Sequence, residues 1–171
     1  MKLSEVKNGD TFVVAGMQFI KFTDEDGKVC AVAKDCFFYS SSDVNGESNF
    51  ANCHIKKRIE EDDVPRIEAE IGAENLLEFE LDLTALDGTK PFENVNTKVG
   101  LVTLDFYRKY REIFAKYAPD CWWWLATPDS ESYKDIILCV SPSGCINFIN
   151  GYYNYCGVRP FFIFSSSILV S

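Results

Sequence analysis

The chain has 171 residues, 47% of them apolar and 25% charged, the balance of a globular protein and not of a disordered or fibrous one. At this length roughly 70% of the unfolded surface can be buried, so neither disulfides nor a metal is required for folding. Seventeen Lys and Arg against 26 Asp and Glu give a net charge of −9, which argues against direct binding of nucleic acid or an anionic membrane, where a basic face supplies most of the affinity.

No apolar h-region follows Met1–Lys7, and the apolar run from Phe161 to Val170 is interrupted by Ser165-Ser166-Ser167. Neither a secretory signal nor a membrane span is expected. The seven cysteines (30, 36, 53, 121, 139, 145, 156) contain no CxxC pair, so we expect buried thiols in a protein made in a reducing cytoplasm.

In chain order, Thr11–Val14, Gln18–Phe22 and Val29–Ala33 read as strands joined by turns at Ala15-Gly16 and Asp24–Gly27. Residues 40–48 form a polar loop. Phe50 to Ile59 has the pattern of a short amphipathic helix carrying Lys56-Lys57-Arg58. A second helix is expected near 64–72, started by Asp63 with Pro65 in its first turn. Leu76 to Leu83 alternates apolar and acidic residues, the period of a half-buried strand. Thr103 to Tyr117 is the clearest helix, with Thr103 as its cap and Pro119 beyond its end. Four strands follow, at 122–125, 136–140, 146–148 and 160–164, the second and third joined by a turn at Ser141–Gly144. The expected class is α+β in one domain spanning residues 1–171, with helices in the N-terminal two-thirds and a C-terminal antiparallel β meander.

The charge is concentrated. Residues 60–82 hold ten acids and a single base, Arg66, which accounts for the whole net charge. The plain reading is a solvated helix face. The sharper one is an acidic interface at Glu60, Glu61, Asp62 and Asp63 that imitates a nucleic-acid backbone. From Ile136 to Phe164 the only charge is Arg159, and Asn147, Asn150, Tyr152, Tyr153, Asn154 and Tyr155 gather around Gly151.

Conventional catalysis is poorly supplied. His54 is the only histidine, and its side chain diverges from that of Cys53 by about 100° on a helix, so the two do not form a dyad. No phosphate loop, zinc spacing or calcium loop is present, and no catalytic residue, metal or cofactor is expected. In Trp122-Trp123-Trp124 a strand sends alternate rings to opposite faces, so each face receives a core tryptophan.

Trp123-Trp124-Leu125-Ala126-Thr127-Pro128 resembles the WWLRSP signature of a family of uncharacterised domains common in gut bacteria and their phages, and Gly157-Val158-Arg159-Pro160-Phe161 is similar to its GVRPAL ending. Weaker likenesses run through Gly9–Thr11, Phe50–Lys56, Thr97–Phe114 and Val140–Gly144. The family's position where this chain has Ala126 is usually Arg. The family resembles the C-type lectin fold in the broad sense, alongside formylglycine-generating enzymes and the variable proteins of diversity-generating retroelements. The resemblance implies a two-helix α+β body with a β-rich ligand face near the C-terminus, Trp123, Trp124 and Arg159 being structural. The EPN and WND triplets of calcium-dependent lectins are absent, and Cys145 and Cys156 bracket the loop without a recognisable catalytic motif.

The expected function is therefore a non-enzymatic, phage- or prophage-encoded binding domain presenting residues 145–156 to a protein or glycan, because Tyr and Asn on short loops give rigid contacts with adaptable hydrogen bonds. Such a domain is cytoplasmic when made or carried on a virion. The alternative is a small acidic inhibitor of a host defence nuclease acting through the 60–82 segment.

Overall fold

The computed structural model describes residues 1–42, 48–153 and 155–171. Strands β1 (Thr11–Val14), β2 (Met17–Glu25) and β3 (Lys28–Ala33) form two consecutive antiparallel hairpins. Each is closed by a two-residue turn with positive φ at both positions, 53° and 75° at Ala15-Gly16 and 51° and 74° at Asp26-Gly27. That geometry matches the right-handed twist of the strands it joins.

A short strand, β4 (Phe38–Tyr39), precedes the helical region of α1 (His54–Asp62) and α2 (Val64–Ile71). Ile55, Ile59 and Ile67 are their buried anchors, set at the three- and four-residue spacings that put side chains on one helix face. Asp63 was expected to cap α2. Its backbone is helical instead (φ −103°, ψ −43°), its side chain makes no cap bond, and its carbonyl accepts from Ile67 N at 3.1 Å. The side chain turns inward at the junction of the two helices and is buried.

The expected strand over 76–83 is two: β5 (Leu76–Leu77) and β6 (Phe79–Leu81), the latter paired with β7 (Val95–Thr97) in a small separate ribbon. The alternation is real, but the two halves pair with different partners. The long expected helix is likewise divided at Tyr110 (φ −113°, ψ 31°) into α3 (Leu104–Lys109) and α4 (Arg111–Lys116). The Tyr110 ring packs there on Phe106 and Phe22, with centroids 4.7 and 5.7 Å apart. Thr103 caps α3 as expected, its hydroxyl accepting from Phe106 N at 3.2 Å.

Beyond the helices, β8 (Trp123–Pro128), β9 (Ile136–Val140) and β10 (Ile146–Asn150) form an antiparallel meander. The expected meander ends there. The chain crosses back as β11 (Gly157–Val158), parallel to β8 and antiparallel to β4, then leaves that sheet as β12 (Phe161–Ser165). Strand β12 inserts between β3 and β5. Phe161, Phe162 and Phe164 on it are all buried, so this strand needs a place covered on both faces, which an outer strand of a meander lacks. The sheet orders are β1-β2-β3-β12-β5 and β10-β9-β8-β11-β4.

The fold is α+β, with the helices in the middle of the chain and strands at both ends. The core has two apolar groups. One joins Phe12, Phe19, Ile55, Ile59, Trp124, Phe162 and Phe164; the other joins Phe22, Val32, Tyr107, Phe114, Trp123, Leu138 and Phe161. Trp123 and Trp124 thus enter opposite groups, as strand alternation requires. Among the described residues no helix is long and apolar enough to cross a membrane.

Candidate functional site

Strand β10 is the outer strand of its sheet. Alternation sends Ile149 toward the core and leaves Ile146 and Phe148 outside. At its end the chain turns tightly: Asn150 Oδ1 accepts from Tyr152 N at 3.2 Å, and the Asn150 carbonyl accepts from Tyr153 N at 3.2 Å. An Asx turn of this kind is what an Asn offers at a strand end. The turn is anchored from below, Gly151 N donating to Asp135 O and the Gly151 carbonyl accepting from Ser42 N, both at 2.8 Å.

The turn raises three phenols from the surface. Tyr152, Tyr153 and Tyr155 are 60%, 45% and 48% exposed. Their rings form a chain, with centroids 4.8 Å apart between Tyr152 and Tyr153 and 5.7 Å between Tyr153 and Tyr155. A hydrogen bond with Tyr153 pushes the Tyr152 phenol above its ordinary pKa, and burial does the same for Tyr155. Both stay neutral at physiological pH and both donate and accept hydrogen bonds. Among the expected ligand-binding residues, Asn147 Nδ2 donates to Cys145 O at 3.3 Å and Asn150 makes the turn. Asn154 lies outside the described residues.

Two further aromatics stand on this sheet, Phe148 (62% exposed) on β10 and Tyr39 (58%) on β4. The alternation of an outer strand marks Phe148. Nothing local marks Tyr39, which is placed by pairing with Gly157 far along the chain.

The acidic segment is partly neutralised on its own helix. Glu60, Glu61 and Asp62 lie 2.6, 4.0 and 3.7 Å from Lys56, Lys57 and Arg58, each four residues earlier, the arrangement that stabilises helices. Asp63 is turned inward. Burial, the largest influence on its carboxyl, pushes its pKa up. Glu70 accepts from Ala15 N at 2.9 Å and Glu68 pairs with Lys98 at 2.8 Å, so these acids tie α2 to the body.

The expected structural residues are all buried. Trp124 Nε1 donates to Ser40 O at 2.8 Å. The Arg159 guanidinium donates from Nε to Ala33 O and from Nη2 to Lys34 O, each at 3.0 Å, and lies 4.6 Å from the Trp123 ring centroid. Burial pulls its pKa down to about 10, so it remains a cation at neutral pH. His54 Nε2 and Ser40 Oγ are 2.6 Å apart. Among the described residues no group of His, Cys, Asp and Glu side chains is arranged to hold a metal ion.

Residues 32–166 match the model of a family described as a domain of unknown function (DUF6273). The chain belongs to this family. No curated protein and no solved structure matches it. The span shared with DUF6273 begins inside β3 and ends just past β12, so it contains the whole tyrosine turn, the Trp123–Pro128 strand and Arg159. The first hairpin of this DUF6273 domain, β1 with β2, lies outside the shared span.

Proposed function

We propose that this DUF6273 domain is a non-enzymatic, C-type-lectin-like binding domain that presents its C-terminal aromatic surface to a protein or glycan. The observation that carries the reading is the uncharged row of Tyr152, Tyr153 and Tyr155, their rings in tilted contact, at a turn fixed by backbone hydrogen bonds. Tyrosines held in this way give a large contact area while losing little rotamer entropy on binding. Two helical regions and a β-rich C-terminal face support the lectin-like part of the reading. Against a small-molecule pocket stands the shape of the turn, which lifts the rings out of the surface. A cleft of about 300 Å³, lined by residues including Tyr107, Arg111, Trp123 and Ser141, lies at the opposite end of β10.

The test immobilises the domain against a glycan array and against surface extracts of gut bacteria, with elution by a salt gradient. Contacts made by neutral rings are insensitive to screening, so a ligand is expected to stay bound at about 1 M salt, where the Debye length is only about 3 Å. The triple substitution Y152A/Y153A/Y155A is expected to abolish that binding and to leave thermal stability within about 0.5 kcal/mol of the parent, as for other exposed side chains. Binding that survives the triple substitution, or a large loss of stability, overturns the reading. Release at moderate salt, with dependence on Glu60, Glu61 and Asp62, would transfer the site to α1 and favour an inhibitor of a basic nucleic-acid-binding protein.

A further inference from the structure

Far apart in sequence, Cys36 and Cys121 are brought together with their sulfurs 2.9 Å apart. Cys36 lies in the link between β3 and β4, and Cys121 lies just before β8. Between these strands runs β11. Gly157 on β11 makes the space: a Cβ there would lie 2.2 Å from Cys36 Sγ, 2.8 Å from Cys36 Cβ and 3.4 Å from Cys121 Sγ. Each thiol is held from its neighbouring residue, since Phe37 N donates to Val158 O at 2.8 Å and Gly157 N to Trp122 O at 2.6 Å. The two sulfurs are therefore positioned by the ladder on either side of β11. Both cysteines are half-buried, as is Cys30, whereas Cys53, Cys139 and Cys156 are buried and Cys145 is exposed.

We propose that Cys36 and Cys121 are a dithiol–disulfide site, oxidised by low-molecular-weight disulfides of the glutathione class. The sulfurs need to approach by less than about 1 Å to reach the bonded distance of about 2.05 Å. Cys121 loses its proton to solvent and attacks one sulfur of the oxidised reagent. One reduced thiol leaves, and a mixed disulfide remains on Cys121. Cys36 then gives up its proton and attacks Cys121 Sγ, releasing the second reduced thiol. Two protein thiols are oxidised and one external disulfide is reduced, so electrons and protons balance. Burial and the neighbouring Cys121 thiol push Cys36 above the usual thiol range, which leaves the first attack to Cys121 and confines Cys36 to the second step, where the sulfur it attacks is already held beside it. The buried cation of Arg159 acts in the opposite sense, favouring the Cys36 thiolate. Its Nη1 has no hydrogen-bond partner among the described residues.

The test uses the folded, fully reduced chain carrying C145S, which removes the exposed thiol. It is incubated with oxidised glutathione at mildly alkaline pH, alkylated, and mapped by intact and peptide mass spectrometry. The expected product has lost two hydrogens, retains no glutathione, yields a Cys36–Cys121 cross-linked peptide and melts at a higher temperature. Adding C36S is expected to stop the reaction at one glutathione on Cys121. Recovery of Cys36 and Cys121 as alkylated free thiols, or a stable glutathione adduct on either in the chain that has both, overturns the proposal. The mapping of that chain stands even where a further serine variant fails to fold.

Discussion

Replacing Gly157 with Ala tests whether the space on β11 is required. The added methyl would fall 2.2 Å from Cys36 Sγ and 2.8 Å from Cys36 Cβ, at least about 1.3 and 0.7 Å inside the 3.5–4.0 Å at which nonpolar atoms make their best contact. Strand β11 cannot yield, because it is hydrogen-bonded to β8 on one side and β4 on the other. Relief must come from Cys36, whose neighbour Phe37 is bonded to Val158 O at 2.8 Å. Overpacking of this kind costs typically 1–3 kcal/mol, and a contact this short against a fixed strand belongs at about 3. For a chain of this size each kcal/mol moves the melting temperature by roughly 2–4 °C, so G157A is expected to melt about 6–12 °C below the parent. Differential scanning calorimetry reads this directly. Adding C36G removes both clashing atoms, and a double-mutant cycle is expected to return a favourable coupling of at least about 1 kcal/mol. A G157A protein that melts within about 2 °C of the parent refutes the steric argument. So does a cycle without coupling, which would place any loss elsewhere.

Lys21 is buried, and its Nζ donates to Leu3 O, Val6 O and Asp24 Oδ2, each at 2.9 Å. K21M keeps most of the apolar stem but leaves two carbonyls without their donor, and is expected to cost about 3 kcal/mol in urea denaturation; a loss under about 1 kcal/mol would mean water replaces the amine. Asp63 carries a pKa raised by burial. A carboxyl that binds its proton more tightly when folded costs stability above its folded pKa, and that cost vanishes as pH falls through it. D63N is therefore expected to be more stable than the parent at pH 7 and to show less gain on acidification; a D63N protein less stable at pH 7 would show that the carboxylate makes a net favourable interaction with Arg66 or Arg58.

The parts of the molecule legible in the sequence are those specified by neighbours. Ala15-Gly16 is a two-residue turn between alternating strands, and the second turn was legible as Asp24–Gly27, of which Asp24 and Glu25 prove to extend β2 and Asp26-Gly27 to make the turn. Thr103 announces its helix because a hydroxyl three residues before an amide is a local arrangement. The tandem Trp123 and Trp124 divide between two cores by strand geometry alone. The tyrosine turn was legible from composition, since tandem Tyr beside Gly and Asn suits no helix. What escaped is set by long-range pairing. Strands β4 and β11 are two residues each and exist only because Phe38 meets Val158 and Tyr39 meets Gly157, which is how Tyr39 comes to the sheet that carries the tyrosine turn. Asp63 looked like a cap because its neighbours fit one, and only the continuous backbone through α1 and α2 turns it inward. The Cys36–Cys121 pair depends on the missing side chain of Gly157, which no local pattern reveals.

The place of β12 has a consequence during synthesis. Strand β3 has β2 along one side and β12 along the other, and β12 lies well over a hundred residues downstream. At translation rates of about 5–20 residues per second, the first hairpins wait on the order of ten seconds for the strand that closes them. Throughout that interval Val29-Cys30-Ala31-Val32-Ala33 offers a row of unpaired amides and carbonyls, the kind of edge that pairs with other chains. Nascent copies crowded on one messenger are thus most exposed to association just before Phe161–Ser165 leaves the ribosome, and slower elongation there would lengthen the hazard.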